Sequence, residues 1–288
     1  MKPRSAVSRR GLLQFASALL PLRALIFTAA ALGIEGVAAQ ENHMPVADVF
    51  PATSPELVRE MVTVAHFDLN RVKELCEARP SLAEASWDWG FGDHESALGA
   101  ASHMGNRPIA EYLISKGARV SIFSAAMFGE LDVVKGFITA HPGVQRTHGP
   151  HSISLLAHAR MGGEKARPVL EYLQSLGDAD THVPVAMSDS EIAALSGTYT
   201  FGLGIAQAVD VDGNIRMYVG TKMYTHAPQL NWTRKGTMPR PLFHLGGNVF
   251  FPGGAPAVRV RFAENAGAMV MTVTDGDLEV TARKQKSA

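Results

Sequence analysis

The chain has 288 residues, 46% of them hydrophobic and 19% charged, and its 27 basic residues balance its 27 acidic ones. That is ordinary globular material, enough for one large domain or two small ones, and a neutral balance gives no bulk attraction to nucleic acid. A single cysteine, Cys76, excludes an internal disulfide framework and a cysteine-rich zinc site.

In chain order, the first feature is Ser8-Arg9-Arg10-Gly11-Leu12-Leu13, a paired-arginine stretch. A moderately apolar run follows to about Leu32, interrupted by Pro21 and Arg23, and Val37-Ala38-Ala39 supplies small residues ahead of a cleavage point at Gln40. Residues 1–39 thus resemble a twin-arginine signal peptide, the type that exports proteins already folded. The resemblance implies a bacterial protein of the periplasm or the secreted fraction. It implies no stable membrane span after cleavage, since Arg23 would sit at mid-bilayer in an uncleaved anchor. Loss of Lys2, Arg4, Arg9, Arg10 and Arg23, against Glu35 alone, leaves the remainder mildly acidic. Residues 40–54 are a lead-in.

The next stretch repeats itself. Gly105 is preceded by Ser96, Leu98 and Ala101, and Gly163 has Ser154, Leu156 and Ala159 at the same offsets. Gly129 has Ile122 and Ala125, and Asp68 has Met61 and Val64. Each anchor is followed by a second apolar face at helical spacing: Val72/Leu75/Cys76, Ile109/Tyr112/Leu113, Val133/Phe137 and Val169/Tyr172/Leu173. Pro108 and Pro168 open two of these helices, where a missing N–H costs nothing. The phrase EYLISKGA at 111–118 returns as EYLQSLGDA at 171–179, the second helix and exit turn of units two and four around a shortened third. Four helix–turn–helix units over 55–182 resemble ankyrin repeats, whose period is about 33 residues. The exits Gly117-Ala118-Arg119 and Gly177-Asp178-Ala179-Asp180 fit that family, although the Pro and His of its usual start are absent.

After a linker at 183–190 the apolar period changes to two, with turns every eight to twelve residues. Expected strands are 197–201, 206–211, 215–219, 229–233, 241–244, 249–251, 257–262, 269–273 and 278–282, and Asp212-Gly213 and Asp275-Gly276 are hairpin signals. Residues 191–288 therefore predict a small antiparallel barrel or sandwich. LSGTYTFG at 195–202 resembles the opening of the lipocalin-like barrel appended to some serine hydrolases. The fold class expected is α+β in series: an ankyrin-repeat solenoid, then a β-barrel.

Catalytic signatures are missing: there is no G-x-S-x-G, S-x-x-K, H-E-x-x-H, C-x-x-C or phosphate-binding loop. His141, His148, His151 and His158 crowd the hairpin between units three and four, a spacing able to hold zinc or copper but with no acid to complete the shell. No metal and no cofactor are expected on that ground. Cys76 stands at a core position of its helix. The most unusual stretch is WDWGFGDHE at 87–95, where Trp87, Trp89 and Phe91 alternate ahead of Asp93, His94 and Glu95. On a β-finger the three rings share one face. They either cap the first repeat or, with Asp93 and His94, contact a partner; an acid–base site on Asp93, His94 and Glu95 is a further reading. The ankyrin resemblance implies a non-enzymatic exported scaffold that binds a protein or peptide through its groove. The alternatives are a small apolar ligand held in the barrel, or an unrecognised hydrolase.

Overall fold

The computed structural model describes residues 50–180, 184–202, 208–213, 224, 228–234 and 237–286. The signal-peptide segment, residues 40–49 of the lead-in and the strand expected at 215–219 lie outside them. Residues 48–288 form one compact unit.

Its first half is four helix–turn–helix pairs: α1 (Pro55–Val64) with α2 (Leu69–Ala78), α3 (Ala97–His103) with α4 (Arg107–Ser115), α5 (Ile122–Phe128) with α6 (Leu131–Ala140), and α7 (Leu155–Met161) with α8 (Arg167–Leu176). Three of the first helices, α3, α5 and α7, are set by serine caps. Ser96 Oγ accepts from Gly99 N, Ser154 Oγ from Ala157 N, and Ser121 forms a reciprocal box with Ser124. These helices are short and lined with small buried residues, among them Ala97, Ala100, Ala101, Ala125, Ala126, Ala157 and Ala159. The small side chains let α1, α3, α5 and α7 pack in a row. The turns need glycine for the same closeness. Gly129 has a φ of +81°, and a Cβ there would meet the backbone carbonyl of Lys165 in the last pair.

The second helices bury the expected faces in α2 (Val72, Leu75, Cys76), α4 (Ile109, Leu113) and α8 (Val169, Leu173). Helix α6 departs. Val134 is its buried residue, with Leu131 and Ile138 packed beside it, whereas Val133 and Phe137 are 42% and 41% exposed. The helix is turned by one residue, because Leu131, Val134 and Ile138 themselves form an i, i+3, i+7 stripe and win the inward side.

The second half is a closed eight-stranded barrel of antiparallel neighbours. Its strands, after the two short ones of the hairpin described below, are β3 (Gly197–Phe201), β4 (Ala208–Asp212), β5 (Leu230–Arg234), β6 (Arg240–Gly246), β7 (Val249–Pro252), β8 (Arg259–Asn265), β9 (Ala268–Asp275) and β10 (Leu278–Lys284), each bonded to the next, with β10 closing on β3. The protein is therefore α+β with a barrel, as the change of period from 3.6 to two predicts. Rings fill the interior: Phe262 lies 5.5 Å from Tyr199 and 5.6 Å from Phe250, centroid to centroid. Helix α9 (Asp189–Leu195), capped by Ser188, leads into β3, and Tyr199 Oη donates to Leu195 O. Within the stretch expected as a linker, Val185 N donates to His244 O, and Met187 N to Gln229 Oε1.

Strand β6 breaks the period-two rule, with Pro241, Leu242, Phe243 and His244 buried in succession. Leu242 points into the barrel core. Phe243 stacks on Phe251 at 5.0 Å on the wall that meets the helical half. A strand covered on both faces reads as a continuous apolar run. That covered wall positions the site.

Candidate metal centre

Between the first two helix pairs, β1 (Ser86–Asp88) and β2 (His94–Ser96) form a small hairpin in which Trp87 faces Glu95 and Asp88 faces His94. Directly opposed residues share a face. Trp87, Trp89 and Glu95 turn inward, and Asp88 and His94 turn to solvent. The tip is built from Gly90, Phe91 and Gly92, all at positive φ. That turn carries Phe91 away from the tryptophans. Its ring stacks 6.2 Å from Trp232 of the barrel, beneath the Arg240 guanidinium. The three rings expected on one face are thus divided, because the left-handed tip interrupts the strand alternation. Trp87 and Trp89 pack against the first helical core.

The inward face carries the chemistry. Glu95 is fully buried, and Trp89 Nε1 donates to its Oε2 at 2.8 Å. Around that carboxylate stand His66 just past the end of α1, His103 at the end of α3, and His151 in the loop before α7. His66 Nε2 and His151 Nε2 lie 3.6 and 3.4 Å from Oε2, and His103 Nδ1 lies 3.3 Å from Oε1. One ligand atom from each of His66, Glu95 and His151 falls within 4.8 Å of the others. His158, one turn into α7, completes the group, with its ring 6.3 Å from that of His103.

Each outer imidazole is aimed by its second nitrogen. His66 Nδ1 bonds to Val62 O at 3.0 Å and His158 Nδ1 to Ser154 O at 2.9 Å; a carbonyl only accepts, so both Nδ1 atoms carry a proton, and a neutral imidazole so placed keeps its lone pair on Nε2. His151 Nδ1 bonds to Asp93 Oδ2 at 2.9 Å, and its backbone N–H donates to Oδ1 at 2.9 Å. Arg240 of β6 reaches across from the barrel, with Nη2 donating to Asp93 Oδ2 and to Gly90 O. Gly254 closes the other side, since a Cβ there would run into the Asp93 carboxylate. His151 and Ser152 both hold left-handed backbone, at φ 59° and 63°, fixed by Tyr224 Oη donating to His151 O and Gly254 N donating to Ser152 Oγ.

Burial raises the Asp93 carboxyl, but its bonds to His151 and then Arg240 outweigh this and hold it below the usual carboxylate range. Burial lowers His151, while the bonds to Asp93 and Glu95 raise it to about 9. Burial drives His103 well below its ordinary value, helped by the neighbouring imidazoles, and takes His158 down to about 4. One imidazole therefore sits between two carboxylates as a cation, with two neutral imidazoles behind it.

As an ion network the group is incomplete. Glu95 Oε1, His103 Nδ1 and His158 Nε2 are buried without a hydrogen-bond partner among the described residues, the 3.3 Å approach of the first two being too poorly aligned for a bond. Such orphans are costly, roughly 1–3 kcal/mol each.

Of the residues singled out in the sequence, Asp93 orients His151, Trp89 bonds Glu95, Trp87 packs, Phe91 lies on the barrel, and His94 is exposed. The four-histidine run is split: His151 and His158 join the centre, His141 is exposed at the end of α6, and His148 bridges to Ser154. His66 and His103 went unnoticed, though a signal was present, since both stand two residues before their unit's anchor, Asp68 and Gly105. Nothing in the sequence joins Arg240 or Gly254 to them. Comparison with family models, with curated proteins and with solved structures gives no match.

Proposed function

We infer that the protein binds a divalent transition-metal ion through His66, Glu95 and His151, and that this ion is its functional centre. The observation that carries the reading is the convergence of three ligand atoms within 4.8 Å. The carbonyl behind His66 and the carboxylate behind His151 supply the outer partners that metal-bound imidazoles have. Two nitrogens and one oxygen, with no sulfur, suit zinc, iron(II) or manganese. Three protein ligands leave a coordination position for water or substrate, the pattern of catalytic rather than structural zinc. The His66 and His151 side chains, 20% and 26% exposed, mark the side from which substrate would arrive. The ion would replace the proton on His151, since a ligating imidazole must be neutral. Among the functions open to this chain, metal-assisted hydrolysis has the best support.

The helical pairs are read as ankyrin-like repeats acting as the frame of this centre, and residues 1–39 as a twin-arginine signal. Export in the folded state lets the ion be loaded before the protein leaves the cytoplasm. A protein or peptide partner has less support. Trp87 and Trp89 pack on the core, leaving Phe91, 38% exposed, and His94 at the hairpin tip. An apolar ligand in the barrel has less still, since aromatic rings meet across the interior.

The test is calorimetric titration of chelator-stripped full-length protein with Zn2+. At least one equivalent should bind tightly. Glu95→Gln should weaken the first equivalent about 100-fold or more, and His151→Gln should act alike. Wild-type protein that takes up none of Zn2+, Mn2+, Fe2+ or Co2+ overturns the assignment.

A further inference from the structure

The three ligand atoms of that centre use one oxygen of Glu95 and leave the other. Oε1 has no hydrogen-bond partner among the described residues, and neither do His103 Nδ1 nor His158 Nε2. All three belong to residues no more than 2% exposed. They are neighbours: His103 Nδ1 is 3.3 Å from Oε1, and the His158 ring stands 6.3 Å from the His103 ring. His158 Nε2 bears a lone pair, because Nδ1 donates to Ser154 O. Neither the carboxylate oxygen nor the His158 lone pair has a donor among the described residues, and a group that accepts electrons would satisfy both.

We propose that Glu95 bridges two metal ions, the first held by Oε2 with His66 and His151, the second by Oε1 with His103 and His158. This rests on the metal reading above and doubles it. A carboxylate with each oxygen on a different ion sets the two about 3.5–4 Å apart, the separation of two-metal hydrolytic centres. The rings are spaced for it: His103 lies 4.9 Å from His66 and 5.7 Å from His151, so the two ligand sets adjoin. His158 stands outside the set of ligand atoms already within 4.8 Å of one another, so its ring has to move inward to reach a common ion. The approach is packed rather than loose. Gly149 abuts His158 Cε1, and the Phe123 ring lies 4.9 Å from the imidazole. The first ion, on the half-exposed side, is the one that meets substrate. The second, sealed beneath it, draws charge from the bridging carboxylate and makes the first a stronger Lewis acid.

Native mass spectrometry of full-length protein, stripped with chelator and reloaded with Zn2+, reads the number directly. Two ions per chain are expected in the wild type. His158→Gln and His103→Gln should each retain one, and Glu95→Gln should lose both. No ion in the wild type defeats the metal reading itself. One ion in the wild type overturns only the bridge and marks the second pocket as a water site. Two ions that persist in both histidine variants also overturn it, as adventitious surface binding. Should the buried substitutions unfold the chain, Mn2+-loaded wild type decides without them. Exchange-coupled paramagnetic resonance supports the bridge, and the six-line signal of isolated Mn2+ overturns it.

Discussion

The protein has two buried interiors that obey different rules. Inside the barrel, side chains are chosen to fill space. Tyr199, Phe250 and Phe262 interlock ring against ring, and the phenol is satisfied by Leu195 O. His244 does leave Nε2 unpartnered there among the described residues, but its ring stacks on that of Phe250 at 4.7 Å. Under the hairpin, by contrast, one carboxylate oxygen and two imidazole nitrogens lack partners among the described residues, two nearby backbone positions are held left-handed, and a glycine is required where the barrel comes near. One interior is arranged for stability. The other carries features that cost stability, the pattern expected of a binding site.

Substitutions should separate the two. The largest effect is expected from Phe250→Ala, which empties the middle of the barrel and should cost about 3–5 kcal/mol in chemical denaturation while Zn2+ stoichiometry is unchanged. Glu95→Gln should do the reverse; a barrel variant that loses metal as completely as it loses stability would dissolve the distinction.

Next is the alkaline limit. Burial raises Tyr199 to about 12, against about 10 in the unfolded chain. Stability from the protonated phenol is complete below pH ~10 and is lost as pH climbs to ~12, a fall on the order of 3 kcal/mol. Tyr199→Phe should flatten this part of the pH–stability curve, and an unchanged slope would mean the phenol is not sealed.

Smaller, and at the line where the interiors meet, is Gly254→Ala. Its φ of +80° and the clash with Asp93 should cost about 2 kcal/mol. By disturbing the carboxylate behind His151, it should also weaken Zn2+ binding about tenfold. Stability loss with unaltered metal affinity would detach Asp93 from the centre. The smallest effect is expected of His94→Ala. It neighbours Asp93 and Glu95 in sequence but lies on the solvent face, so both stability and Zn2+ affinity should hold to within about 0.5 kcal/mol.

The barrel was the more legible half. Each of its eight strands overlaps one expected from alternation, because the pleat makes side-chain period a local property. The helical turns were legible for a similar reason, and Ser96 and Ser154, read from the sequence only as repeat positions, are caps that act within four residues. Legibility failed where distant chain decides. On α6 the sequence offers two candidate faces, and only the packing of α5 and α8 selects Val134 over Val133. Phe91 follows the tryptophans in sequence, yet its ring is claimed by Trp232. The histidines show this best. Four that are close in sequence proved to be two near the centre and two apart from it, and the others that matter lie at 66 and 103. Proximity along the chain was a poor guide to a site drawn from three helix ends, a hairpin and a barrel strand.

Asp93 and Arg240 stand 147 positions apart in sequence, and Asp93 and His151 stand 58 apart. Contacts of such range form slowly, after the local turns and helices that carry their ends. During synthesis the hairpin exists long before Arg240 has been made, and until then the Asp93 carboxylate lacks the guanidinium that helps fix it. The centre is thus finished late. On the proposed reading, capture of the ion would be a timestamp on the chain: the ligand His151 is held by Asp93, and Asp93 in turn by Arg240 of the barrel.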